Sequence, residues 1–324
     1  MNKIRLGVIY GGKSGEHEVS IMSADSVINA IDTEKYDITR IFISKEGWWT
    51  IAGQPLNPWD LRSYIDFALP ILHGPNGEDG TVQGLLELID IPYAGSGVLG
   101  CAATMDKIVA KKIFEAAGLK QTPYVALDSA RIGPQIEEKI NAELRYPLFV
   151  KPANMGSSVG ISKVHAPNEL AAALKLAAEY DTRIVVEQGV NCRELETGVM
   201  GNLEPVASAV GEIIPHADFY DFDAKYKDSE SRTLVPADIS PEAAEEIRRC
   251  AVEAFKACAC FGFSRVDFMM DKDTGDIYIN EINAIPGFTN ISMFPMLFMA
   301  TGLTYTQVVE KIIELGYERY NAEN

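Results

Sequence analysis

The chain has 324 residues, enough for two or three domains of about 150 residues each, and 47% of them are apolar, which excludes disordered and fibrous proteins. Its 29 basic and 46 acidic residues give a formal charge of −17, so we expect no sequence-independent nucleic-acid binding. We expect no membrane span, because no apolar run approaches about 18 residues. Five scattered cysteines without a Cys-x-x-Cys pair are typical of a reduced cytoplasmic protein.

The first part of the chain alternates between apolar runs and a helical pattern. Strands are predicted at 4–10, 38–43 and 67–72, and a helix at about 18–31. This order predicts a parallel sheet with crossover helices. Because loops at the carboxyl ends of parallel strands form ligand sites, we expect 11–18 and 73–80 to line one.

The pattern changes near the glycine-rich segment 95–100. A helix is predicted at about 105–117, and strands are predicted from 122, at 148–152 and at 184–187. We therefore expect three domains, at 1–97, 98–187 and 188–324.

The segment 215–236 is polar and aromatic, with no clear period. It predicts a long irregular loop. Such a loop is either a functional lid or a plain surface insertion.

A glycine-rich turn follows the first predicted strand, with the sequence Gly-Gly-Lys-Ser-Gly-Glu-His-Glu-Val-Ser at 11–20. A turn of this kind offers backbone N–H groups and the positive end of a helix dipole to an anion. Within it, Glu16 is either a functional carboxylate or one that only complements the helix dipole.

A second glycine-rich loop follows Lys151, with Gly-Ser-Ser-Val-Gly at 156–160. Small residues allow the backbone to approach an anion closely, and a lysine directly after a strand places a cation beside it. The lysine favours phosphate binding over the alternative, an ordinary hairpin turn.

Four polar residues lie on a predicted hairpin. Arg265 and Asp267 share one face of the first strand, and Glu281 and Asn283 share one face of the second. With the turn centred near Asp273, we expect Arg265 opposite Glu281 and Asp267 diagonal to it. Two carboxylates and an amide suit Mg²⁺; the alternative is a solvated face with an Arg–Glu pair.

The segment 286–292 follows the hairpin directly. The backbone N–H of Gly287, beside a metal, could stabilise a developing oxyanion. The alternative is a loop that only leads into the last helices.

Together these residues resemble the D-alanine–D-alanine ligase family, which has the ATP-grasp fold. The resemblance covers essentially the whole chain. Eight segments carry it in the family's order: 11–20, 73–80, 105–107, 151–160, 193–195, 225–226, 265–268 and 280–289. It implies a mixed α/β chain with an N-terminal parallel α/β domain and two domains that clamp ATP.

The resemblance also implies roles for individual residues. For ATP it implies that Lys107 and Lys151 contact the phosphates, that Glu187 and Val190 contact the adenine and that Glu194 contacts the ribose. It also implies ATP contacts from Ser157, Ser158 and Lys225. Two Mg²⁺ ions, with Mn²⁺ as an alternative, would be bound by Asp267, Glu281 and Asn283. The first D-alanine would bind at Glu16 and His73, and the second at Ser292 and Met293. A closed lid would be formed by Glu16, Ser157 and Tyr226, and an oxyanion hole by Arg265 and Gly287.

The implied reaction is the ATP-dependent joining of two D-alanines through a D-alanyl phosphate, for peptidoglycan precursors, by a cytoplasmic homodimer. A D-alanine–D-serine or D-lactate ligase of the same fold is the close alternative. Two further alternatives are another carboxylate–amine ligase and a nucleotide-binding protein without catalysis. The complete motif set disfavours both, and a dehydrogenase is disfavoured because no Gly-x-Gly-x-x-Gly follows the first strand.

Overall fold

The computed structural model describes residues 3–214, 232–289 and 291–323. In these ranges the strands are β1 (Ile4–Gly11), β2 (Tyr36–Ile43), β3 (Trp49–Ile51), β4 (Gln54–Pro55), β5 (Phe67–Ile71), β6 (Tyr124–Asp128), β7 (Leu148–Pro152), β8 (Ser162–Val164), β9 (Arg183–Gln188), β10 (Cys192–Gly201), β11 (Val206–Ile214), β12 (Arg232–Leu234), β13 (Gly262–Asp271) and β14 (Ile277–Asn283). The α-helices are α1 (His17–Ala30), α2 (Thr81–Leu88), α3 (Val98–Met105), α4 (Lys107–Ala116), α5 (Pro134–Glu143), α6 (Pro167–Ala178), α7 (Pro241–Ala257), α8 (Met293–Met299) and α9 (Tyr305–Glu323). None of the described helices is long and apolar enough to cross a membrane.

The first sheet has the strand order β4-β3-β2-β1-β5. Strand β1 pairs in parallel with both β2 and β5, which confirms the predicted parallel sheet. Leu6 and Val8 face one core cluster and Ile9 faces another, so β1 is buried on both faces and is almost entirely apolar. The short strands β3 and β4 add an antiparallel edge that the sequence pattern did not predict.

The second and third sheets are antiparallel, with the orders β6-β9-β7-β8 and β12-β11-β10-β13-β14. Helix α4 contributes to the cores of both, because Ile108 packs against the second sheet while Ala110 and Phe114 pack with the third. The division of the chain at 97 and 187 stays a prediction.

The predicted helix at 105–117 is wrong at its start. Met105 ends α3, and Asp106 then caps a new helix by accepting hydrogen bonds from the backbone N–H groups of Ile108 and Val109. The backbone N–H of Lys107 donates to Ala153 O in the loop after β7 (3.0 Å). This break places Lys107 at the first position of α4.

The expected register of the β13–β14 hairpin is also wrong. Arg265 pairs with Asn283, and Asp267 pairs with Glu281, a shift of two residues. The turn is centred between 273 and 274, which accounts for one residue of the shift. A bulge that leaves Asn280 without a cross-strand partner accounts for the other.

The bulge decides which side chains reach the cleft. Ile279 and Ile282 are three residues apart, yet both are buried in the core of the third sheet. A regular strand would place residues of odd and even number on opposite faces. The extra residue at Asn280 therefore sends both isoleucines inward while Glu281 and Asn283 point outward.

Candidate active site

The two predicted phosphate lysines lie on neighbouring elements. Lys107 Nζ donates to Met155 O (2.7 Å) and lies 3.8 Å from Glu281 Oε2 of the third sheet. A cation in the first turn of a helix interacts unfavourably with the helix dipole. Lys107 therefore does not stabilise α4 by its charge, and its position is better suited to binding an anionic ligand. Lys151 is on β7, and its Nζ donates to Glu187 Oε2 on β9 (3.2 Å).

Glu187 is buried, at 2% exposure, and is shared with a lysine that the sequence analysis missed. Lys111 Nζ lies 3.5 Å from Glu187 Oε1. Burial opposes the charge of Glu187, but the two lysines outweigh it and lower the pKa of this carboxyl. Lys111 follows Lys107 by four residues, and this helical spacing on an otherwise apolar face could have identified it.

The hairpin face gathers the residues expected to bind metal. Asn283 Nδ2 donates to Asp267 Oδ2 (2.9 Å), and Glu281 is the cross-strand partner of Asp267. The described residues contain no group of three or more His, Cys, Asp and Glu side chains that could hold a metal ion. Two carboxylates and an amide oxygen nevertheless match the hard donors that Mg²⁺ takes together with phosphate oxygens, so the residues fit this ion.

Arg265 is held between two carboxylates. Its Nε and Nη2 donate to the two oxygens of Asp267 (both 2.7 Å), and its Nε lies 3.0 Å from Glu196 Oε2 on β10. Burial opposes its charge, but Asp267 and Glu196 outweigh that effect and raise the pKa of Arg265 well above its usual value. The sequence analysis missed Glu196, which stands in an alternating strand without a motif.

Glu16 contacts the second glycine-rich loop, and the lid set that also includes Tyr226 stays a prediction. Ser157 Oγ donates to Glu16 Oε1. A Cβ atom on Gly74 or Gly156 would lie 2.8 Å from Glu16 Oε2, so a side chain at either position would displace the carboxylate. Ser157 itself has a φ of 48°, a left-handed conformation that costs energy outside glycine and that clusters at functional sites.

The loops 11–18 and 73–80 come together as expected and line a cavity of about 250 Å³. His73 faces inward instead of into open space, at 4% exposure. Its Nδ1 donates to Ile285 O (3.0 Å), and its Nε2 lies 3.2 Å from the hydroxyl of Ser23, which accepts from the backbone N–H of Phe288 (3.2 Å). His73 therefore holds the segment that contains Gly287, and a contact with substrate stays a prediction.

Burial alone would favour the neutral ring of His73. The negative charge of Glu78, whose Oε1 lies 3.6 Å from His73 Nδ1, outweighs this effect, so the pKa of His73 is raised. Glu78 also accepts from the backbone N–H of Gly74 (3.0 Å), which fixes the residue that follows the histidine.

The turn after the hairpin carries the predicted oxyanion donor. None of the hydrogen bonds between described residues involves the backbone N–H of Gly287. Ser292 Oγ accepts from the backbone N–H of Thr289 (3.0 Å) and shares a hydrogen bond with its hydroxyl (2.7 Å). Met293 starts α8 with a buried side chain that packs against Ile213.

The remaining predicted residues fall into two groups. Ser158, Val190 and Glu194 are all partly exposed, Ser158 in the loop after β7, Val190 between β9 and β10, and Glu194 on β10. Lys225 and Tyr226 lie outside the described residues. The predicted irregular loop is shorter than expected at its end, since β12 occupies Arg232–Leu234 and pairs with β11.

The cleft defines a class of protein. Lys107 on α4 and Lys151 on one antiparallel sheet lie near oxygen donors on a second antiparallel sheet. An acid from the parallel α/β unit contacts the glycine-rich loop between β7 and β8. This is the arrangement of an ATP-dependent ligase of the ATP-grasp fold.

Comparison with known proteins identifies the family. The profile for the D-ala D-ala ligase N-terminus matches residues 5–63 and 52–96, and the profile for the C-terminus of the same ligase matches residues 113–314. The chain belongs to the D-alanine–D-alanine ligase family, and it is an ADP-forming carboxylate–amine ligase that uses ATP.

Individual relatives agree along almost the full length. The D-alanine–D-alanine ligase of Chloroherpeton thalassium is 46% identical, with 99% of this chain and 98% of that protein covered. That of Geobacillus kaustophilus is 44% identical, with 98% and 96% covered.

Two solved structures also match along almost the full length, at lower sequence identity. The D-alanine–D-alanine ligase of Coxiella burnetii has a TM-score of 0.88 at 34% identity, covering 100% of this chain and 96% of that one. The VanG D-Ala:D-Ser ligase of Enterococcus faecalis has a TM-score of 0.88 at 37% identity, covering 97% and 100%.

Proposed function

We propose that this chain joins two D-alanines at the cleft between Glu16, the two phosphate lysines and the β13–β14 hairpin. The observation that supports this most directly is the 3.8 Å approach of Lys107 Nζ to Glu281 Oε2. It sets a phosphate-binding cation against a metal-type carboxylate across the cleft. A nucleoside triphosphate carrying a divalent cation needs both charges at one place.

The first half-reaction converts a carboxylate, which is a poor acyl donor, into an acyl phosphate. In our proposal Glu16 binds the ammonium of the first D-alanine, while Lys107 and Lys151 bind the phosphates. Asp267, Glu281 and Asn283 would hold two Mg²⁺ ions, or Mn²⁺, which neutralise charge on the transferring phosphoryl group when bound.

The second half-reaction is attack of the second amine on the acyl phosphate. Arg265 and the Gly287 N–H are suited to the oxyanion that develops, because one carries a fixed charge and the other has no acceptor among described residues. Phosphate then leaves. No covalent enzyme intermediate is needed, so Ser157 is proposed as a positioning group that holds the loop on Glu16.

The second subsite is proposed to prefer D-alanine. Ser292 stands at the start of α8 beside Gly287, and a Cβ atom on Gly287 would lie 3.0 Å from its hydroxyl. A subsite preference between alanine and serine can depend on one hydrogen bond. D-serine is the second candidate, since a D-Ala:D-Ser ligase is as similar in structure as a D-alanine–D-alanine ligase.

Product analysis tests the proposal. The purified chain is supplied with ATP, Mg²⁺ and D-alanine, alone or with D-serine or D-lactate, with L-alanine as the control. Phosphate release with D-alanyl-D-alanine as the main product is expected in every mixture that contains D-alanine. A main product containing D-serine or D-lactate would contradict the second-subsite assignment, and no D-alanine-dependent turnover would contradict the proposed reaction.

We also propose that the chain works as a homodimer in the cytoplasm and binds neither nucleic acid nor membrane. Two exposed leucines, Leu88 at 75% and Leu99 at 69%, lie on the adjacent helices α2 and α3. Large apolar side chains exposed on neighbouring helices are candidates for a protein–protein contact.

A further inference from the structure

The loop between β7 and β8 makes contacts with two other parts of the cleft. Its Met155 O accepts from Lys107 Nζ (2.7 Å), and its Ser157 Oγ donates to Glu16. Ser157 and Ser158 both have a positive φ, at 48° and 60°. A left-handed conformation outside glycine costs energy and persists only where the surrounding structure holds it in place. This loop therefore depends on groups outside itself.

The turn between α6 and β9 holds both ends of the loop. At the start of the loop, Asp181 Oδ2 accepts from the backbone N–H and from the side-chain Nδ2 of Asn154 (both 2.9 Å). At its end, the backbone of Gly160 lies against the ring of Tyr180, because a Cβ atom on Gly160 would lie 2.7 Å from Tyr180 Cδ2. Two adjacent residues of one turn thus fix the loop where it leaves β7 and where it returns to β8.

Asp181 does not need the bonds to Asn154 for its own turn. Its Oδ1 accepts from the backbone N–H of Arg183 (3.0 Å), which is the usual contact of an aspartate in a turn with the residue two positions on. That contact uses one carboxylate oxygen. The other oxygen reaches a residue 27 positions away in the chain, so it serves the loop and not the turn.

We propose that Asp181 is a positioning residue that fixes the start of this loop, so that Ser157 reaches Glu16. Asp181 has no assigned contact with a substrate and acts through the loop. When the start of the loop is loose, Ser157 spends more time away from Glu16, and fewer molecules are ready to bind the first D-alanine correctly. The inference rests on the proposed function, which assigns Glu16 to that substrate.

The test compares Asp181→Ser with Asp128→Ser. Asp128 ends β6 of the same sheet, and its Oδ1 accepts from the backbone N–H of Ala130 (2.9 Å), again two positions on. Both variants remove one carboxylate, and a serine hydroxyl can still accept from that backbone N–H. Only Asp181→Ser loses the hydrogen bonds to Asn154.

Hydrogen exchange followed by mass spectrometry measures the loop in the absence of ligand. The backbone N–H groups of Asn154, Val159 and Ile161 each donate a hydrogen bond, so their exchange reports how often the loop opens. We expect exchange of the loop to be at least about tenfold faster in Asp181→Ser than in Asp128→Ser, since local opening needs less free energy. Equal exchange in the two variants would overturn the inference.

Steady-state kinetics measures the consequence for turnover. We expect Asp181→Ser to lower kcat for dipeptide formation about tenfold relative to Asp128→Ser, because the loop is misplaced. In a Ser157→Ala background, Asp181→Ser should lower kcat by no more than about twofold further, because the contact that Asp181 secures is already lost. Equal kcat values in Asp181→Ser and Asp128→Ser would overturn the inference, and so would a full tenfold loss in the double variant.

Urea unfolding reports whether the variants fold. If Asp181→Ser does not fold, Asn154→Ala takes its place, because it removes one of the two bonds from the loop side. It should change loop exchange and kcat in the same directions by smaller factors. Values equal to those of the unmodified chain would again overturn the inference.

The two measurements separate this inference from the proposed function. If the unmodified chain makes dipeptide while Asp181→Ser behaves like Asp128→Ser, only the inference fails. If the unmodified chain makes no dipeptide, the proposed function fails, and hydrogen exchange alone still decides whether Asp181 fixes the loop.

Discussion

Single side chains in this site act mainly by fixing other groups. Ser23 joins His73 to the backbone N–H of Phe288, one residue beyond Gly287. It carries no motif of its own, because a serine on a helix face is ordinary in sequence. Its importance follows only from its complete burial and from two partners that lie 50 and 265 residues away in the chain.

Ser23→Ala should reduce kcat for dipeptide formation about ten- to hundredfold, because a loosened turn misplaces the Gly287 N–H. Ser96→Ala is the matched control: its buried hydroxyl accepts from the backbone N–H of Phe261 (3.1 Å) but does not touch the turn. Each variant leaves a backbone N–H unsatisfied and should lose about 1–3 kcal/mol of stability. Steady-state kinetics and urea unfolding measure both effects, and equal kcat values in the two variants would refute the role of Ser23.

Glu78→Gln should lower the pKa of His73, because it removes the charge that outweighs burial while keeping an acceptor for Gly74. A histidine whose folded pKa is raised contributes stability that is full below its unfolded pKa of about 6.5 and is lost as pH rises through the folded pKa. The stability difference from the unmodified chain should therefore be larger at about pH 6 than at about pH 9.

NMR titration of the His73 ring and urea unfolding at the two pH values provide the measurements. An unchanged His73 titration in Glu78→Gln would show that the carboxylate does not set its protonation.

At the scale of elements, the β13–β14 hairpin depends on one extra residue. Alternation predicted correctly that Asp267, Glu281 and Asn283 share a face. It could not predict the bulge at Asn280, because an inserted residue changes the pairing without leaving a sequence signal as distinct as a glycine turn.

Deleting Asn280 should make β14 regular. Either Ile282 or Glu281 must then face the wrong way, and turning a carboxylate into the apolar core should cost about 3 kcal/mol or more. Asn280→Ser, which keeps the residue count, should remain close to the unmodified chain. Urea unfolding and Mg²⁺-dependent ATP binding compare the two, and a deletion variant as stable as Asn280→Ser would contradict the role of the bulge.

The break before α4, like the bulge at Asn280, could not be predicted from the sequence pattern. The helix predicted at about 105–117 includes Met105, Asp106 and Lys107. The Asp106 side chain caps the following helix instead, and a bond from Lys107 N to the distant Ala153 O fixes the break. Local periodicity cannot show a tertiary contact of this kind.

At the scale of the molecule, the parallel first sheet, the location of its two loops and the family could all be predicted from the sequence. These follow from local patterns and from motifs that keep their order. The pairings of Lys111, Glu196 and Ser23 could not, since each depends on strands or helices far apart in the chain.

The proposed homodimer gives a prediction at this scale. Leu99→Glu should shift the chain toward monomer, because a charge on a contact face between copies must be desolvated. Leu203→Glu is the control, since Leu203 is 86% exposed at the β10–β11 turn. Analytical ultracentrifugation distinguishes the states, and a dimer retained in Leu99→Glu with the same affinity would exclude this face.

The order in which the chain is synthesised gives the last helix a further consequence. Val308, Val309 and Ile312 of α9 are fully buried in the same core as Leu6 and Val8 of β1. Strand β1 therefore leaves the ribosome long before α9 is available to cover its apolar surface. Contacts between residues far apart in the sequence slow folding and leave intermediates with exposed apolar surface, which are prone to aggregate. The nascent protein should thus need shielding until α9 has been synthesised.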